Sequence, residues 1–185
     1  APFNVAWGLQ GMGDAPLLVS AVGDDEDGRA MLDMMRAWDM NTDGAQIDPD
    51  HATGAVNVTF LDGEPAYDIC YPRAWDFIAA PGASATHLLY HGSLALRHAA
   101  SRAAFDRLRS TSTALRFFDV NLRPPHTPIE SVRELAHGAD WLKVNIHELE
   151  QLLESSTLTF FDDATEAAVK KLQSEMNIAN VILTG

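Results

Sequence analysis

The sequence predicts an α/β fold with a mostly parallel sheet, and three observations carry that prediction. From residue 86 onward short apolar runs alternate with amphipathic stretches, the rhythm of a parallel sheet covered by helices. Four of those runs end in small polar residues: Thr86–Ser93 (THLLYHGS), Leu115–Arg123 (LRFFDVNLR), Trp141–Ile146 (WLKVNI) and Asn180–Gly185 (NVILTG). Buried strands that turn polar at one end build a crevice outside the carboxyl edge of the sheet, where open α/β folds take their ligands. Finally, 46% apolar residues in a chain of 185 are enough for one substantial core and one main domain.

Taken in order, Pro2–Met12 carries Val5, Leu9 and Met12 at helical spacing, with Pro2 suited to the first turn. Asn4 then falls where a helix leaves backbone N–H groups unpaired. Residues 16–22 read as an apolar strand closed by Gly23-Asp24-Asp25-Glu26-Asp27-Gly28. The acidic run complements the dipole of the following helix, which places Met31, Leu32, Met35 and Trp38 on one side. Gly54–Pro72 alternates apolar and polar residues twice around Asp62-Gly63, a hairpin signal. A lone hairpin is marginal, so this one is expected to act as a flap leaning on something else. The remaining elements are strand 86–91, helix 97–109, strand 115–120, helix 129–137, strand 141–145, helix 147–154, helix 164–176 and strand 180–184. Residues 39–53 and 72–85 read as linkers.

Thirteen basic residues against 26 acidic ones give a net charge of −13, which argues against nucleic acid and favours small-molecule partners. A single cysteine, Cys70, cannot form an internal disulfide, so a cytoplasmic setting is expected. No apolar run approaches the roughly 20 residues that span a bilayer. The chain starts at Ala1-Pro2 without Met and stops at Gly185 directly after a strand, so both ends are expected to be cut.

Several constellations fail on spacing. Gly8, Gly11 and Gly13 miss the dinucleotide pattern, and no P-loop occurs. His87 and His91 would lie about 13 Å apart on a strand, too far for one zinc ion. Ser93 follows His91-Gly92 at a strand-to-helix turn, but Ala95 stands where a nucleophile elbow has its second glycine. A hydrolase is thus a weak alternative. Asn121 and Arg123 at the end of 115–123 offer an amide and a planar fork of donors for phosphate. Asn145 and Glu148 flank the first turn of the next helix, where Glu148 could hold Mg2+ through water.

These residues also resemble a known family. Ala1-Pro2-Phe3-Asn4-Val5-Ala6 resembles the end of the first signature of ribokinase-like (PfkB) carbohydrate kinases, Gly-Gly-Ala-Pro-x-Asn-x-Ala. Val22–Gly28 resembles the family's VGDDxxG turn, and 54–72 its lid. Asp119, Asn121 and Arg123 resemble the D-x-N-x-R strand end of its fructokinase and ketodeoxygluconate kinase branches. Asn145 and Glu148 resemble the N-x-x-E motif, and Thr184-Gly185 the start of the T-x-G nucleotide strand. The likeness implies a ribokinase-like three-layer sandwich with a hairpin lid that phosphorylates a sugar primary hydroxyl with ATP. By the same likeness Asn4, Asp119 and Asn121 bind sugar, and Arg123 stabilises the transferring phosphoryl group. Asn145, Glu148, Thr184 and Gly185 bind the nucleotide, Glu148 with Mg2+, and the lid hairpins offer a route to a homodimer. The family's G-A-G-D segment, with the aspartate that deprotonates the sugar, is not in this chain, so the chain alone is expected to be inactive. A ketodeoxygluconate, ribose or nucleoside kinase, or a non-catalytic sugar or nucleotide binder, stays open.

Overall fold

A computed structural model describes residues 1–61, 63–82, 86–155, 158–160 and 162–185. Asp62, the first half of the expected hairpin turn, and the end of the expected 72–85 linker lie outside those residues. The chain divides into two compact units, Ala1–Ala83 with His98–Ser110, and Ser84–Arg97 with Thr111–Gly185.

In the first unit, helix α1 (Pro2–Gly11) is followed by strand β1 (Ser20–Gly23), helix α2 (Glu26–Ala37) and strand β2 (Ala45–Asp48). Ala6, Leu18, Val22, Leu32, Met35 and Met40 form the core, and Trp7 stacks on Trp38 with ring centroids 4.9 Å apart. The expected strand 16–22 begins only at Ser20, because ladder pairing starts opposite Ala45. The expected linker 39–53 contains β2, parallel to β1. Its four residues, AQID, are too short and polar to announce themselves, and β1 makes them a strand.

The acidic turn is a structural junction. Asp25 caps α2 by accepting from Gly28 N at 2.8 Å, and it takes both the amide and the hydroxyl of Thr53, at 2.7 and 2.6 Å. Thr53 Oγ1 in turn accepts from Gly23 N at 2.9 Å. These bonds, first of all that from the Thr53 hydroxyl, lower the Asp25 carboxyl from 3.8 to about 2. Position 28 must be glycine here, since a Cβ would stand 2.2 Å from Gly23 O.

Thr53 leads into the hairpin of β3 (Val56–Leu61) and β4 (Glu64–Ile69), antiparallel with Val56 opposite Ile69 and Val58 opposite Tyr67. Opposite residues share a face, so Val56, Val58, Tyr67 and Ile69 line one side. Phe60 and Tyr67 are 73% and 67% exposed. The expected linker 72–85 contains a 3-10 turn over Ala74–Phe77, whose Asp76 is fully buried and accepts from Arg73 N at 2.9 Å. Helix α3 (Ala99–Thr111) holds that turn through Ser101, whose hydroxyl donates to Trp75 O at 3.0 Å and accepts from Ile78 N at 2.9 Å.

The second unit is a four-stranded parallel sheet in the order β5 (Leu88–Gly92), β6 (Leu115–Asp119), β7 (Trp141–Asn145), β8 (Asn180–Thr184). Helices α4 (Ile129–Ala136), α5 (Ile146–Leu153) and α6 (Asp163–Met176) connect the last three strands. Side chains alternate across the sheet. One face carries the fully buried Phe118, Leu142 and Val144, and the helices contribute Val132, Leu149, Leu152 and Leu172 to the core. The other face carries Leu88, Leu115, Trp141 and Ile182, all exposed, and it is this face that becomes polar toward the carboxyl end.

Candidate active site

Parallel register puts Asp119 opposite Lys143 and Asn145 opposite Thr184, so the polar ends of β6, β7 and β8 lie side by side. Gly92 is opposite Asp119, which sets Tyr90, two residues earlier on β5, on the same face. Tyr90 OH donates to Asp119 Oδ2 at 2.8 Å and Lys143 Nζ donates to Asp119 Oδ1 at 2.9 Å. Three adjacent strands thus converge on one carboxylate. Burial, and then the bond to Asp119, hold the Tyr90 phenol above its usual range, so it remains a donor at neutral pH.

Past Asp119 the chain leaves the sheet in a pinned loop. Val120 N donates to Lys143 O at 3.0 Å. Asn121 follows with φ of 45°, the left-handed region that asparagine tolerates better than most residues. Ser93 Oγ donates to Val120 O at 2.6 Å and Asn121 O at 3.2 Å. Leu122 N donates to Glu148 Oε1 at 2.8 Å, and Arg123 N to Thr127 Oγ1 at 2.6 Å. Arg123 itself is exposed, and one guanidinium nitrogen donates to Leu122 O at 2.8 Å.

Helix α5 starts against this loop. Asn145 Oδ1 accepts from Glu148 N, and Glu148 Oε2 accepts from Asn145 N, each at 2.9 Å. This capping box satisfies two amides that a helix start leaves open. Glu148, only 7% exposed, therefore uses both carboxylate oxygens to tie the 120–123 loop to α5. Each oxygen keeps a further lone pair. Among the described residues no cluster of three acidic, histidine or cysteine side chains could hold a metal alone. Glu148 is the carboxylate here that could meet a hydrated cation through those lone pairs.

The second unit thus gathers Asp119, Asn121, Arg123, Asn145, Glu148, Thr184 and Gly185 at the carboxyl ends of three strands. Asn4 belongs to the first unit, exposed on the first turn of α1. Sequence reasoning missed Tyr90, Lys143 and Thr127, and read Ser93 as a weak nucleophile candidate. Ser93 is 3% exposed and directs its proton to backbone carbonyls instead of a base, which removes the hydrolase alternative. Tyr90 and Lys143 alternate in phase with the polar strand ends, the one signal that marked them.

The sequence pattern of pfkB family carbohydrate kinases matches residues 1–185. The chain belongs to that family. It is 28% identical over 180 residues to a probable fructokinase-2 of Arabidopsis thaliana, covering 89% of this chain and 54% of that protein. It is 27% identical over 173 residues to fructokinase-2 of Solanum habrochaites, covering 85% and 53%. The chain therefore spans about half the length of these curated relatives. Among solved structures it is similar to the fructokinase of Halothermothrix orenii, with a TM-score of 0.77 at 24% identity over 98% of this chain and 66% of that one. A fructokinase of Vibrio cholerae O395 holding fructose, ADP and a calcium ion gives 0.80 at 22%, over 98% and 61%. The ATP-bound fructokinase of Xylella fastidiosa gives 0.80 at 23%, over 98% and 59%. These likenesses establish the ribokinase-like α/β fold. No helix among the described residues is long and apolar enough to cross a membrane.

Proposed function

We propose that the protein carrying this chain is a fructokinase-like enzyme that transfers a phosphoryl group from ATP to the primary hydroxyl of a sugar. The observation that carries this reading is the junction at the carboxyl ends of β6 and β7, where Glu148 binds the 120–123 loop to the start of α5 and leaves Arg123 exposed beside it. ATP with Mg2+ supplies the phosphoryl group and neutralises part of its charge. Such transfer is mainly positioning and electrostatics, so fixed donors matter more than covalent chemistry.

In this reading Arg123 presents its fork to the transferring group, and the loop pinned around Asn121 keeps that fork in place. Asn121 offers its amide to sugar hydroxyls, and for Asn4 a sugar-binding role rests on the family resemblance of Ala1–Ala6. Asp119 holds Lys143 at the same edge, and meets the sugar through lone pairs that Tyr90 and Lys143 leave open. Asn145, Thr184 and Gly185 flank the nucleotide, and Glu148 holds Mg2+ through water. The exposed apolar residues of β3 and β4 suit the lid of this family, and the same face would serve a homodimer. A single cysteine in the chain, Cys70, suits a reducing cytoplasm.

The test is a panel of fructose, ketodeoxygluconate, ribose and a nucleoside, each with ATP and Mg2+ and the full-length protein. Fructose-dependent ADP release supports the reading. A preference for another acceptor reassigns the substrate, and binding without turnover of any acceptor overturns the activity.

A further inference from the structure

We propose that Ser93 is a positioning residue for this reaction, holding the 120–123 loop so that Arg123 faces the transferring group. The inference rests on the kinase reading above. Ser93 sits in the turn after β5, the fourth polar strand end of the crevice, yet it is too buried to meet a ligand directly. Its hydroxyl reaches carbonyls 27 and 28 residues away in sequence, Val120 O and Asn121 O, the two that bracket the left-handed residue.

Two further side chains that hold the loop from outside it act on N–H groups. Glu148 accepts from Leu122 N and Thr127 from Arg123 N. Ser93 supplies side-chain donation to the carbonyls, and so fixes the peptide planes on both sides of Asn121. A left-handed asparagine is strained and persists only where its surroundings over-determine it. Loss of the hydroxyl takes away the one proton shared by the buried Val120 O and the part-buried Asn121 O, and lets Asn121 relax. The guanidinium two residues later moves with it. A misplacement of about 1 Å costs on the order of 100-fold in rate.

The experiment is a double-mutant cycle in the full-length kinase, with Ser93→Ala, Arg123→Ala and their combination, together with hydrogen exchange of the amides at 121–123. Ser93→Ala is expected to lower kcat about 10- to 100-fold. The KM for ATP should hold within about twofold, as for an interaction made only in the transition state. Exchange at 121–123 should quicken about tenfold while β6, β7 and α5 stay protected. In the Arg123→Ala background, Ser93→Ala should cost less than about threefold more, because the group it positions is already gone. Ser93→Cys keeps the volume with a weaker donor and should fall between Ser and Ala.

Unchanged exchange at 121–123, or losses that multiply in the double variant, would overturn the proposal. An Arg123→Ala enzyme with full kcat would instead strike down the kinase reading of Arg123, a different pattern from failure of Ser93 alone.

Discussion

Glu148 offers the sharpest contrast between a residue kept for structure and one kept only for a metal. Replacing it with alanine removes the acceptor from Leu122 N and from Asn145 N, both in a site where the side chain is 7% exposed. A hydrogen bond to a charged group contributes about 1.5 kcal/mol at the low end, so losing both costs about 3 kcal/mol. Glu148→Gln keeps one acceptor oxygen but turns an NH2 group toward the second amide, so it should cost about half as much. With a urea m-value of about 2.5 kcal/mol per molar, the alanine variant should unfold about 1 M earlier and the glutamine variant about half that. Hydrogen exchange should locate the loss in 120–123 and the first turn of α5. The measurement is made without nucleotide or metal. A midpoint that stays put, or rises on removing the charge, would refute the view that this carboxylate is the tie between loop and helix.

Other predictions follow from the same geometry. The Asp25 carboxyl titrates near 2 in the folded protein against 3.8 ordinarily, so its stabilising effect is complete above pH 4 and is lost as pH falls through 2. Urea midpoints between pH 5 and 2 should show that decline, and Asp25→Asn should flatten it. A slope unaffected by the substitution would contradict the assignment to Asp25. Asn121→Ala should lower stability by about 1 kcal/mol, because alanine pays for the left-handed backbone. Asn121→Gly should fold as stably as the parent, while both variants lose sugar kinase activity. Retained activity in the glycine variant would show that the amide does no binding.

Helices and strands of the second unit could be read from sequence because local and global signals agree there. Asn145 followed three residues later by Glu148 is at once a capping box and the N-x-x-E pattern, so the start of α5 is marked twice. By contrast β2 is four residues whose strand character comes from pairing with Ser20–Gly23, which no local pattern announces. The 3-10 turn at Ala74–Phe77 was hidden because its stability comes from Asp76, a buried carboxylate bonded to backbone. In the site, Asp119 and Asn121 stand out as polar ends of apolar runs. The bonds from Tyr90 and Lys143 to Asp119 depend on register across three strands, and the Ser93 staple spans 27 residues. Such partners are set by tertiary pairing, so spacing alone does not name them. Spacing did give Glu148 as a metal candidate, but its two backbone partners appear only once the loop and helix are seen together.

The central claim is that the carboxyl ends of β6 and β7 are where a phosphoryl group is transferred. The most direct measurement is kcat of the full-length Arg123→Ala protein with fructose, ATP and Mg2+, beside its urea midpoint. An exposed side chain can be removed with little loss of stability, so a fall in kcat of at least about 100-fold at an unchanged midpoint is predicted. Parent-like turnover in that variant would contradict the account.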